Sequence, residues 1–296
     1  IWRGRLFSAI FTVIAPIFVC AAIGFVWART RVPYETEFVT RIVTKVGMPC
    51  LVFGTLAKVD LTPEMLGNMG LAAVVTTAAF AVIGAVVLGI FKIERQVFLN
   101  CLIFANTGNM GLPVCLLAFG DPGLALGVAY FAVNGTLTNI FGPALASGNP
   151  DPRAVLKIPM VWAALGGVTV KLAGIPFPDW VLKTLDLLSG FPIPLMLITL
   201  GVSLAGLQVA HLGRSFGLAA LRLVMGVAVG WAAAEVFGFE GVARGVVIIE
   251  CAMPVAVFNF LYAQMYNNRP DEVAGAVVTS TMLSFATLPA LLWFVI

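Results

Sequence analysis

The residues best placed to do chemistry lie inside two apolar stretches. One reads Phe104-Ala105-Asn106-Thr107-Gly108-Asn109-Met110-Gly111-Leu112-Pro113, the other Glu250-Cys251-Ala252-Met253-Pro254-Val255-Ala256-Val257-Phe258-Asn259. Asparagine, glycine and proline together make a poor helix: Gly costs about 1 kcal/mol and Pro about 3 kcal/mol relative to Ala in a helix interior. Both stretches are therefore expected to break a helix at mid-span, Gly108, Gly111, Pro113 and Pro254 supplying the break. At membrane depth, unwound backbone is tolerated only where it is buried in protein or lines a cavity. Such breaks carry chemistry of their own. Half-helix N-termini present free N–H groups and a positive dipole end suited to an anion, while freed carbonyls suit a cation or proton. Glu250 is the sharpest single residue. An ionised carboxylate deep in an apolar segment costs at least about 2.5–3.5 kcal/mol on insertion scales, so it must be protonated, paired or ligated by a cation. Asn134, Thr55 and Ser203 are weaker candidates, because Ser and Thr commonly bond their own helix backbone.

Other side chains argue against catalysis. The one histidine, His211, sits at a segment boundary, and Cys20, Cys50, Cys101, Cys115 and Cys251 show no spacing that suggests disulfides or zinc. No Ser/His/Asp set or paired carboxylates converge at one depth, so an enzyme, a structural metal and a bound cofactor are not expected. The remaining charges read as ordinary. Glu37, Arg41 and Lys45 form an i, i+4 stripe on a solvated face, Lys183 and Asp186 lie one turn apart and are expected to pair, and Arg222 is within snorkelling reach of an interface. Trp2, Trp27, Trp162, Trp180 and Trp293 sit near segment ends, as an interfacial belt would.

The elements that position these residues follow from composition. Of 296 residues, 60% are hydrophobic and only 10% charged, with mean hydropathy +1.03. A soluble domain carries about 25% charged residues, and one bilayer crossing takes roughly 20 apolar residues. The chain reads as an all-α polytopic membrane protein of ten segments: 7–28, 36–57, 66–91, 96–119, 123–147, 158–175, 179–207, 213–237, 241–266 and 271–295. Breaks at Arg29–Pro33, Asp60–Glu64, Gly148–Pro152 and Asn267–Pro270 carry loop chemistry. Arg3 and Arg5 precede a first apolar run longer than a signal-peptide core, so this segment is expected to be retained. Because the chain starts at Ile1, preceding native residues are also an expectation. The net charge of +3 does not point to nucleic acid, since loop charges in membrane proteins mainly encode orientation.

The 17 Lys and Arg residues sort unevenly. Arg29, Arg31, Arg41, Lys45, Lys92, Arg95, Arg153, Lys157, Arg214, Arg222 and Arg269 fall to the odd connections. Arg3, Arg5, Lys58, Lys171, Lys183 and Arg244 fall to the termini and even connections. The positive-inside rule then places the odd connections in the cytoplasm and both termini outside.

Half of the length, 148 residues, is also a repeat offset. Thr55-Leu56-Ala57 falls on Ser203-Leu204-Ala205, Pro122 on Pro270, Gly127 on Gly275 and Asn106 on Pro254, while Arg95 falls one residue from Arg244. Five segments per copy is odd, so residues 1–148 and 149–296 would be repeats of opposite orientation, with broken helices in the fourth and ninth segments. Inverted repeats are an architecture of secondary transporters, whose sites lie near the midplane between discontinuous helices.

At these residues the chain resembles the auxin efflux carrier family, within a wider superfamily that includes the bile acid:sodium symporters. The resemblance rests on Met48-Pro49-Cys50-Leu51-Val52-Phe53-Gly54-Thr55-Leu56-Ala57, on the Asn106–Pro113 run, and on Glu250-Cys251-Ala252-Met253-Pro254 with Asn259. Segment order matches along the whole chain, and the long cytoplasmic loop of the plant carriers is absent, which points to a bacterial member. The resemblance implies a scaffold domain from residues 1–60 and 149–208, a transport domain from 61–148 and 209–296, and dimers through the scaffold. It implies substrate binding by Asn106, Thr107, Asn109, Asn134 and Asn259, with Thr55 facing them. Plant auxin carriers have Gln where this chain has Glu250, whereas the bile-acid branch uses Glu there in sodium coordination.

Together these readings predict a secondary carrier in a bacterial inner membrane, moving a small organic anion such as malonate, malate or an auxin-like acid by alternating access. Na⁺ or H⁺ is the expected coupling ion, held by Glu250 and the carbonyls of Cys251 and Met253. Two alternatives stay open: a carrier of an oxyanion or amino acid, and a transporter-like sensor that binds ligand without moving it.

Overall fold

A computed structural model describes residues 2–30, 32–148, 156–207 and 211–296. Arg31, Arg153 and the Asn149–Pro152 part of the expected break lie outside these residues, as do the side chains of Trp2, Arg3 and Arg5. The described chain is helical, and its single β-type contact is an isolated antiparallel bridge between Ala105 and Val255.

The helices follow the apolar segments closely. They are α1 (Trp2–Arg29), α2 (Thr36–Ile42), α3 (Met48–Lys58), α4 (Pro63–Ile90), α5 (Arg95–Ile103), α6 (Leu112–Ser147), α7 (Pro159–Ala173), α8 (Asp179–Gly190), α9 (Pro192–Gly206), α10 (Leu212–Val236), α11 (Gly241–Ala252), α12 (Val257–Met265) and α13 (Pro270–Val295). A π-helical turn, Val43–Gly47, joins α2 to α3, and a second, Thr107–Gly111, leads into α6. Boundaries obey local chemistry. The Thr62 side chain caps α4 by accepting the Met65 N–H at 3.2 Å, with Pro63 in the first turn. Gly148 ends α6 in the left-handed region at φ 75°.

Seven helical stretches are long and apolar enough to cross a bilayer among the described residues. Ten segments were expected, and the difference has three physical causes. Thr107–Ser147 runs two segments together through Gly120, whose φ of 64° and ψ of −153° kink the helix where the expected loop falls. The apolar helix Pro159–Ala173 has only 15 residues. The stretch 241–266 is split into the half-length helices α11 and α12.

Two groups of helices emerge from packing. In the first, α1 lies antiparallel to α9, and α3 packs on α7 and α8. Gly24 rests on the Ile198 carbonyl and Gly201 on the Ala21 carbonyl, so any Cβ at either position would overlap backbone. Small residues of this kind let membrane helices approach closely. In the second group, α4 packs on α5 and α6, α10 on α11 and α13, α11 on α6, and α12 on α13. The outer faces carry exposed apolar side chains, Val82 (64% exposed), Ile90 (70%) and Val224 (69%) among them, a surface suited to lipid rather than water. Trp27, Trp162, Trp180 and Trp293 are exposed near helix ends, as an interfacial belt requires.

Ion pairs gather at the helix ends. Arg269 bonds Glu94 at 2.6 Å and Arg214 bonds Glu272 at 2.5 Å, while Arg41 pairs with Glu37 as expected. The Lys183–Asp186 pairing is corrected: Asp186 pairs with Lys58, because the C-terminal end of α3 packs against α8.

Candidate functional site

Both predicted interruptions are present, and they cross each other. Helix α5 stops at Ile103 and leaves Phe104 extended, while α11 stops at Ala252 and leaves Met253 extended, as the residue before a proline prefers. The two unwound segments then run antiparallel. The Asn106 N–H donates to the Pro254 carbonyl at 2.8 Å, and the Ala256 N–H donates to the Phe104 carbonyl at 3.1 Å. Backbone groups freed by the breaks thus satisfy one another, the condition for unwinding away from water. Asn106 and Pro254, superposed by the 148-residue offset, are the residues that meet.

Neighbouring side chains hold the crossing. Ser280 of α13 accepts the Val255 N–H at 3.1 Å. Asn259 donates through Nδ2 to the Phe104 carbonyl at 3.0 Å and keeps a buried Oδ1 without a partner. Beyond the crossing, the N–H groups of Met110 and Gly111 both return to the Asn106 carbonyl, which opens the π-helical turn. The preceding N–H groups, of Thr107, Gly108 and Asn109, stand at a helix start, where no earlier turn supplies carbonyls.

The predicted substrate residues divide into two kinds. Asn106 is buried, and its Nδ2 has no partner among the described residues, so it is free to donate. Asn109 is half-buried on the same turn. Asn134 is instead committed to the protein: its Oδ1 accepts from Thr107 Oγ1 at 3.2 Å and its Nδ2 donates to Thr77 Oγ1 at 3.1 Å. Asn134 and Asn259 therefore orient the crossing. Thr55 is half-buried on α3 and makes no side-chain hydrogen bond to these residues.

Glu250 is fully buried. Its Oε1 accepts from the Cys115 thiol at 3.6 Å, and its Oε2 has no partner among the described residues. The carboxyl group lies against two glycines of the opposite half: a Cβ on Gly111 would overlap it, and one on Gly127 would come within 3.2 Å of Oε1. These glycines make the space in which Glu250 sits.

Arg222 corrects the sequence reading. It does not snorkel; it is fully buried, its Nη2 donating to the Cys251 carbonyl at 3.0 Å. Its guanidinium lies 4.4 Å from the Phe80 ring centroid, and Nε and Nη1 have no hydrogen-bond partner among the described residues. The thiol of Cys251 meets the Tyr130 hydroxyl at 3.4 Å, and that hydroxyl also meets Thr76 Oγ1 at 2.8 Å. Among the described residues neither Arg222 nor Glu250 belongs to an ion pair.

Two of the donors expected for a coupling ion, the Glu250 carboxyl and the Cys251 carbonyl, face different neighbours. The Glu250 carboxyl faces the π-helical turn and α6, whereas the Cys251 carbonyl faces α10 and already receives a guanidinium. The donors diverge. Cys115, Tyr130, Thr77 and Ser280 were not singled out in the sequence, and each is a common residue type in an apolar segment.

Comparison with known proteins bears on this geometry. A family model described as a membrane transport protein matches the chain twice, over residues 9–147 and 144–293. The chain is 26% identical over 278 residues to an "Uncharacterized transporter" of Methanocaldococcus jannaschii, covering 88% of this chain and 89% of that protein. It is 29% identical over 139 residues to "Auxin efflux carrier component 1" of Arabidopsis thaliana, covering 45% of this chain and 22% of that protein. It is also 21% identical over 306 residues to a "Putative malonate transporter" of Rhizobium meliloti, covering 95% and 94% of the two.

Proposed function

The chain belongs to the membrane transport protein family, and from that premise we propose a secondary carrier of a small organic anion, a mono- or dicarboxylate such as malonate or malate. One observation carries the reading: Asn106 Nδ2 and Glu250 Oε2, buried polar atoms without partners among the described residues, flank a single crossing of unwound backbone. An anion's carboxylate is held by Asn106 Nδ2 and the N–H groups of Thr107, Gly108 and Asn109, at the positive end of α6. Thr55 completes the site from α3. Glu250 takes the coupling cation, Na⁺ or H⁺. The similarity to the Rhizobium meliloti protein supports the carboxylate class.

The architecture proposed is ten crossings in two inverted repeats, 1–148 and 149–296. Its support is the double family match, the meeting of Asn106 with Pro254, and packing that recurs under the offset. The α1–α9 contact answers α7–α3, α4–α5 answers α10–α11, and α4–α6 answers α10–α13. A scaffold of α1–α3 and α7–α9 then carries a transport domain of α4–α6 and α10–α13, and the scaffold is the proposed dimer contact. The pairs Glu94–Arg269 and Arg214–Glu272 join odd connections at one end, whereas Lys58–Asp186 joins elements at the other. This supports odd connections gathered on one side, which the positive-inside rule makes the cytoplasm, and both termini are proposed to lie outside a bacterial inner membrane.

A flux screen of mono- and dicarboxylates in proteoliposomes, under imposed Na⁺ and H⁺ gradients, tests the proposal. Saturable counterflow of one carboxylate, competed by its analogues and lost in Asn106→Ala, is expected. Binding without counterflow would replace the carrier with a sensor.

A further inference from the structure

A half-helix that ends inside a membrane leaves its last carbonyls at the negative end of the dipole, away from water. In carriers with discontinuous helices such ends commonly coordinate Na⁺ or H⁺. At the end of α11 the Cys251 carbonyl instead receives Arg222 Nη2 at 3.0 Å. Helix α10 is shaped for this contact. Gly226, one turn beyond Arg222, lies so close to the Cys251 carbonyl that any Cβ would overlap it, and Gly230 continues the same close face. Phe80 of α4 covers the guanidinium at 4.4 Å, a cation–π contact strengthened by exclusion of water. The sulfur of Cys251 is occupied by the Tyr130 hydroxyl.

A guanidinium stays charged in proteins. Arg222 is fully buried and has no carboxylate partner among the described residues, so its compensation is the α11 terminus and the Phe80 ring. We infer that Arg222 is a resident cation: it fills with a side chain the place at the end of α11 where a metal cation would bind, which makes the carrier independent of sodium and leaves Glu250 as the one exchangeable charge. The inference deepens the carrier reading and rests on it for its meaning in transport. Glu250, facing Gly111 and Gly127 on the far side of α11, then has the proton as its partner.

The test reads stability, without substrate, on the purified full chain in detergent. Wild type is melted in sodium, potassium and choline chloride at equal ionic strength, and midpoints within about 1 °C of one another are expected. A bound ion raises the midpoint by mass action, so a sodium-specific rise of about 2 °C or more overturns the inference. Arg222→Ala is expected to melt lower and to regain part of the loss in methylguanidinium but not in choline. An Arg222→Ala protein as stable as wild type also overturns it. If that variant does not fold, the wild-type salt comparison decides alone. The two readings fail separately: absence of carboxylate flux would remove the carrier and leave the salt result standing, whereas sodium-driven flux would keep the carrier and remove the resident cation.

Discussion

Replacing Glu250 with Gln isolates one unit of charge in the transport cycle. Gln keeps the shape that the pocket requires: Oε1 can still accept from Cys115, and the contacts with Gly111 and Gly127 are preserved. What it removes is the capacity to take up a cation. Glu250 has no ion-pair partner among the described residues, and Arg222 is permanently charged, so no other site group compensates the loss. The net charge moved per cycle should therefore become more negative by one. One elementary charge across 100 mV is worth about 2.3 kcal/mol, which is roughly a 50-fold change in the steady-state gradient that a carrier can hold. The assay is malonate distribution in proteoliposomes under a potassium diffusion potential, stepped through about 100 mV with valinomycin. Wild type and Glu250→Gln should differ by that factor, and a pH gradient should drive only wild type. Equal voltage dependence, with the pH response retained in Glu250→Gln, would refute the assignment of the exchangeable charge to Glu250.

Four further substitutions test the packing at and away from the crossing, each by thermal or denaturant unfolding of the purified protein with flux measured alongside. Gly111→Ala should cost about 1–3 kcal/mol by overpacking, because its Cβ would overlap the Glu250 carboxyl. Gly127→Ala, whose Cβ stops 3.2 Å from Oε1, should stay within about 1 kcal/mol of wild type, and equal effects at both glycines would count against the packing described. Ser280→Ala strips the Val255 N–H of its acceptor and should cost about 1–3 kcal/mol, with flux falling as the crossing loosens; unchanged flux would show that Ser280 does not hold it. Lys58→Ala breaks an exposed ion pair with Asp186 and should change stability by about 1 kcal/mol or less, so a large loss there would assign the α3–α8 contact more weight than its exposure allows.

The breaks were legible in the sequence because their cause is local. Asn, Gly and Pro each carry a local helix cost, and where they cluster the cost is enough to end the helix, so α5 and α11 end within a few residues of the stretches read as broken. The crossing was only half legible. The offset named Asn106 and Pro254 as counterparts, but that their backbones exchange hydrogen bonds depends on how α4, α6, α10 and α13 pack around them. Roles within the asparagine set were not legible at all. Asn106 and Asn134 are the same residue type in similar apolar surroundings, and only the positions of Thr77 and Thr107 make Asn134 a strut while Asn106 Nδ2 stays unpartnered. Lys183 and Asp186 failed for a related reason, since a neighbour one turn away competes with residues that tertiary packing delivers.

Arg222 is the instructive miss, because a usable signal stood beside it. The depth argument that singles out Glu250 applies to any charge well inside an apolar segment, and for Arg222 it competes with the capacity of a long side chain to reach an interface. Which way that side chain turns depends on the face of α10 that meets protein. Arg222, Gly226 and Gly230 recur every four residues and so share one face of a helix, and a stripe of small residues marks the face on which membrane helices approach. An arginine in line with such a stripe points into the bundle, where snorkelling is closed to it and a partner must be found among polar groups away from water. The acceptors that a helix always has to offer are its C-terminal carbonyls, and the last turn of α11 presents that of Cys251 to this face. A broken helix and a buried arginine on the neighbouring glycine face are therefore two halves of one feature: the break creates a negative terminus inside the membrane, and Arg222 is the charge that lets it stay there.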